Sequence, residues 1–119
     1  MEGMATYIDR GLGDFLRSAG YSAAAAKEDG KFKIPSLRNC AITAPYEHNG
    51  VFKTLREVVM FNNTRDIPGA GWPAPEVPRN VHRHMPPMPR TFGQLGLTDQ
   101  QVDDIVAFLG TLTDGFQLP

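Results

Sequence analysis

Cysteine is almost absent from this chain: Cys40 is the single one in 119 residues, which excludes an internal disulfide framework and any C-x-x-C pair. Runs of positive charge are missing as well. Twelve Lys and Arg against 13 Asp and Glu leave a net charge of -1, without the basic face that nucleic-acid binding requires. No apolar stretch approaches the roughly 20 residues that span a bilayer, and the opening MEGMATYIDRGLGDF lacks the charged-then-apolar order of a signal peptide. There is no phosphate loop, no Ser-His-Asp signature and no H-E-x-x-H. Cys40 sits in an alternating stretch, Leu37-Arg38-Asn39-Cys40-Ala41-Ile42, and reads as a buried small hydrophobe rather than a nucleophile.

What is abundant is punctuation. Twelve glycines and 10 prolines call for much loop in specific conformations, so an ordered but irregular protein is expected rather than a long-helix bundle. The length suits one domain over residues 1–119 with one core. Ile8, Leu12, Phe15 and Leu16 recur at helical spacing, but Gly11 and Gly13 limit them to a short helix ending near Gly20. Ser22 to Lys27 is alanine-rich and helix-compatible, and Pro35 biases Phe32 to Leu37 toward extended chain. Thr54 with Glu57 forms a capping box that predicts a helix from about Leu55 to Asn62. Thr98 with Gln101 does the same for a last helix whose apolar face is Val102, Ile105, Val106, Leu109 and Leu112, with Gly115 just past its end. Seven prolines between Ile67 and Pro89 forbid continuous helix and central strand. The fold class read from this pattern is all-α, with short helices joined by long ordered Pro/Gly-rich loops.

The stretch from Gly30 to Val59, GKFKIPSLRNCAITAPYEHNGVFKTLREVV, reads as an irregular polar loop wrapped around something and then a helix. Its blocks KFKIPSLRN, ITAPYEHNG and FKTLREVV, followed by NTRD, WPAPEVP and LGLTDQQVDDIVAFLGTLTDGF, resemble the C-terminal part of the di-haem cytochrome c peroxidase/MauG-type proteins. The resemblance covers most of the chain in the family order. It implies a cytochrome c-like fold, a periplasmic setting and a haem c held by C-x-x-C-H. That motif does not occur in these 119 residues, so no covalent haem site is expected here.

The resemblance also implies site residues. It puts the second axial ligand of the C-terminal haem, methionine or tyrosine in the family, at the position of Asn62, and asparagine is a poor iron ligand. Met60 could substitute only if its helix were rotated or bulged. Met85 and Met88 in HRHMPPMPR stand on a proline-stiffened loop and are further metal-ligand candidates, with core packing as the ordinary alternative. Arg38 matches the arginine of the S/T-L-R-N block, where its guanidinium suits either a haem propionate or loop carbonyls. His48 matches the histidine of the H-[DN]-G turn, with loop anchoring by a backbone hydrogen bond favoured over metal ligation. Trp72 is expected to cover the core, with electron relay as a weaker analogy. Thr43 and Pro45 match carbonyl positions of an interdomain calcium, but a hard cation needs about six oxygens and calcium is not expected. His82 and His84 offer imidazoles suited to copper or zinc, yet without cysteine or carboxylate partners at ligand spacing they read as surface residues.

Two functions follow from the sequence. One is a portion of a haem-dependent electron-transfer or peroxidase-family domain, inactive as an isolated chain and completed by a C-x-x-C-H-bearing segment or chain. The other is a cofactor-free interaction or structural module derived from a cytochrome c fold, whose uncovered apolar surface would favour self-association. Asp103 and Asp104 read as ordinary solvent-facing carboxylates, which leaves acid/base catalysis without a candidate.

Overall fold

Four α-helices and one 3-10 turn carry the regular structure of the computed structural model, which describes residues 7–77 and 93–115. Among these residues there are no strands, only isolated bridges, so the all-α class holds. The described residues form two compact units, residues 7–33 with 73–77 and residues 34–72 with 93–115.

In the first unit α1 (Leu12–Ser18) and α2 (Ser22–Glu28) make a helical hairpin. Gly13 lets them close on each other: it is buried, and a Cβ there would collide with the Asp29 carboxylate and meet the Ala25 carbonyl at 3.0 Å. Ala25 is fully buried at the same crossing. Arg17 then grips Asp29 with two parallel bonds of 2.7 and 2.8 Å, the bidentate geometry that a guanidinium fork favours. The glycines that weaken α1 as a helix are thus the residues that permit the hairpin.

In the second unit α3 (Leu55–Thr64) and α4 (Asp99–Thr111) pack together, and the turn Cys40–Ile42 lies against α4. Both capping boxes form as the sequence predicts: Thr54 accepts from the Glu57 N–H and Thr98 from the Gln101 N–H, with the reciprocal side-chain bonds in place. α3 runs two residues beyond the expected end, and there Thr64 donates its hydroxyl to the Met60 carbonyl at 2.8 Å. Leu112 is the C-cap of α4 rather than part of its body. The buried apolar side chains of this unit are Phe52, Val59 and Val102.

A candidate cofactor wall built on α3

Helical spacing divides α3 into three faces at about 100° per residue. Arg56, Val59 and Asn63 share the first. Arg56 bonds Asp103 through Nε and Asp99 through Nη2, each at 3.0 Å, and these carboxylates raise its pKa above the usual arginine value. At the other end of α3 the buried Asn63 accepts from the Leu97 N–H at 3.0 Å and donates to the Leu97 carbonyl at 3.1 Å. Asp103 was expected to be an idle surface carboxylate; it is exposed, but it helps fix the rotation of α3 against α4.

Phe61 and Thr64 form the second face, and Trp72 covers it. The rings of Phe52, Phe61 and Trp72 form a triangle with centroids 5.1, 5.6 and 5.5 Å apart, Trp72 meeting both phenylalanines edge-on, an arrangement that aromatic quadrupoles favour. The indole N–H donates to Thr64 Oγ1 at 2.9 Å. Trp72 thus packs over α3.

Leu55, Val58 and Asn62 form the third face, and all three are half-buried. Asn62 turns its side-chain amide back on its own helix, donating to the Val58 carbonyl at 3.0 Å. Met60 is also half-buried and lies about 160° round the helix from Asn62.

The loops carrying Arg38 and His48 are tied into this unit. Asn39, in the left-handed region at φ 60, donates its backbone N–H to the Leu112 carbonyl at 3.0 Å and exchanges two further bonds with Asp114. The Tyr46 hydroxyl donates to the Cys40 carbonyl at 2.7 Å, and burial raises its pKa. The Tyr46 N–H in turn donates to the Phe52 carbonyl at 2.8 Å, closing the turn that presents an exposed His48. The Tyr46 bonds to Cys40 and Phe52 thus link the loop of Arg38 and the turn of His48 to the ring cluster of Trp72. Arg38 is exposed, and its guanidinium makes no ion pair among the described residues. Cys40 is half-buried. Met85, Met88, His82 and His84 lie outside the described residues.

No protein-family model matches the chain, but curated proteins do. It is 42% identical to the methylamine utilization protein MauG of Paracoccus denitrificans (strain Pd 1222) over 92% of its own length and 28% of that protein's. Cytochrome-c peroxidase IdrP1 of Denitromonas iodatirespirans is 39% identical over 78% of the chain and 20% of the relative, and IdrP1 of Pseudomonas sp. (strain SCT) is 37% identical over 73% and 19%. The chain belongs to the MauG and cytochrome-c peroxidase family. It is a partial piece of that family, spanning less than a third of the length of these relatives, and the cytochrome c-like fold follows from them.

For this MauG-type piece the fit of haem divides in two. Apolar surface is plentiful: Ile34, Leu37, Ile42 and Phe108 in the second unit are each more than half exposed. The first unit carries an open, mainly apolar recess of about 410 Å³ lined by Gly11, Leu12, Lys31, Phe32 and Lys33. Gly11 makes that recess possible, since its φ of 55 suits glycine and a Cβ would collide with the Lys31 carbonyl and press on Phe32 at 2.9 Å. Among the described residues the donor set does not fit iron. At the position where the resemblance implies a thioether or phenolate, Asn62 presents an amide already committed to Val58. Among the described residues no cluster of three or more His, Cys, Asp or Glu could hold a metal ion, and no helix is long and apolar enough to cross a membrane. The Asn63 clamp and the Arg56 pairs escaped the sequence reading because both partners of each are remote in sequence and leave no local pattern.

Proposed function

We propose that this chain is a wall segment of a haem-dependent electron-transfer or peroxidase-type protein of the MauG family, acting in the periplasm and inactive by itself. Haem, when bound, would supply reversible one-electron chemistry at iron; its attachment would come from a C-x-x-C-H borne on another segment or chain. The residues here do the shaping. α3 offers Leu55 and Val58 as apolar surface, the aromatic triangle stiffens its far side, and Arg38 stands exposed with a fork suited to a carboxylate such as a propionate.

The observation that carries this reading is the Asn62 amide bonded to the Val58 carbonyl at 3.0 Å. A side chain so engaged, on a helix whose rotation is fixed by Arg56 and Asn63, offers its own face only an amide oxygen, a poor ligand for haem iron. Met60 would reach that face only if α3 turned by about 160°, against the clamp and both ion pairs. The test is a haemin titration of the purified chain followed by absorbance and by a peroxide-dependent oxidation assay. Soret absorbance that co-elutes with the chain, without peroxidase turnover, is the expected result; turnover by the isolated chain would refute the claim of inactivity.

The alternative, a cofactor-free module that associates through its apolar surface, draws on the same exposed Ile34, Leu37, Ile42 and Phe108. Light scattering coupled to size-exclusion chromatography separates the two, since a stable oligomer that never takes up haem favours the module.

A further inference from the structure

The turn that carries His48 contains Asn49 followed by Gly50, a pair in which the second residue puts no side chain in the way of its own nitrogen. Asn49 is exposed and its Oδ1 accepts the Val51 N–H at 3.2 Å. A donor at that oxygen stabilises the negative charge that develops when a nucleophile adds to Cγ. The nucleophile is adjacent in the chain: the backbone nitrogen of Gly50 needs only to approach Asn49 Cγ to close a five-membered ring, and glycine has no side chain to hinder it. The Gly50 N–H donates to the Glu47 carbonyl at 3.1 Å and the Lys53 Nζ donates to the Gly50 carbonyl at 2.7 Å, and both bonds restrain that nitrogen.

We propose that Asn49 is a self-modification site whose conversion uncouples the His48 turn from the aromatic triangle. The Gly50 nitrogen forms a bond to Asn49 Cγ and loses its proton; the Cγ–Nδ2 bond breaks and ammonia leaves, giving a cyclic imide. Water then adds to one of the two imide carbonyls and opens the ring to aspartate or isoaspartate. Either product adds one negative charge to the turn. Isoaspartate also inserts a methylene into the main chain between residues 49 and 50. The turn is closed by the Tyr46–Phe52 bridge, whose buried Phe52 packs at 5.6 Å from Trp72, so a longer backbone there pulls on the aromatic packing. Asn39, Asn62 and Asn63 are the internal comparison: none of them precedes glycine.

The test is storage of the full chain in mildly alkaline buffer, with peptide mapping by mass spectrometry, isoaspartate detection and Trp72 emission followed together. Asn49 is expected to convert roughly tenfold faster than the other three, because its restraint is lost by local opening of an exposed turn. Isoaspartate should accumulate and Trp72 emission should move red, while Asn49→Gln, which would need a larger ring, keeps its mass and emission. Conversion of Asn49 no faster than that of Asn39 would overturn the site, and an isoaspartate product with unshifted emission would overturn the uncoupling.

Discussion

Asn63 meets the backbone of Leu97 at both ends, Oδ1 taking the N–H at 3.0 Å and Nδ2 giving to the carbonyl at 3.1 Å. One side chain on α3 thus replaces the strand-like partner that the entry loop of α4 lacks. The same contact fixes which way Asn62 faces, and this ties a stability element to the question of iron ligation.

Replacing Asn63 by Ala should destabilise the chain by about 2–4 kcal/mol, since it strands two backbone groups and opens a small cavity. Urea unfolding followed by circular dichroism measures this. A loss below about 1 kcal/mol would mean that water takes over the Leu97 groups at little cost.

The two capping boxes should behave alike. Thr54→Ala and Thr98→Ala are each expected to cost about 1 kcal/mol, and each should be largely recovered by Ser. The Glu57 carboxylate is held below its usual pKa chiefly by the backbone N–H of Lys53, and then by that of Thr54. Its contribution is therefore present above the ordinary glutamate range and lost as pH falls through its lowered folded value. Glu57→Gln should flatten that part of the acid limb.

The helical hairpin of the first unit carries its own acid sensitivity. Asp29 is held below the usual carboxylate range by the hydrogen bonds from Arg17, against a smaller opposing effect of burial. A depressed folded pKa means that the stabilisation is complete above the unfolded value and disappears as pH drops through the folded one. Thermal melts of the wild type should therefore fall in acid more steeply than those of Asp29→Asn, and parallel acid limbs would argue against the Arg17 grip.

Trp72 is the only tryptophan, so its emission reports on the aromatic triangle alone. Thr64→Val removes the acceptor of its indole N–H and should cost about 1 kcal/mol, with the fluorescence midpoint still matching that from circular dichroism. Separate midpoints would show that the cover over α3 opens independently of the helices.

Much of this architecture was readable from local pattern. The capping boxes, the α4 stripe and the short glycine-limited α1 are all near-neighbour signals, and each element formed where Thr54, Thr98 and Gly11 placed it. The Asn63–Leu97 clamp, the Arg56 ion pairs and the Asn39–Asp114 exchange span 34 to 75 positions, and polar partners that far apart impose no periodicity on a sequence. Asn62 was legible as a departure only beside the family resemblance; that its amide is spent on Val58 is a rotamer fact, outside the reach of spacing.

A haem-family wall with no strong iron ligand at position 62 can be distinguished by comparing wild type with Asn62→Tyr after haemin addition and gel filtration. Soret absorbance should co-elute with both, and a new phenolate-to-iron charge-transfer band should appear only in the variant. Failure of either protein to carry haem, or identical spectra from the two, would contradict it.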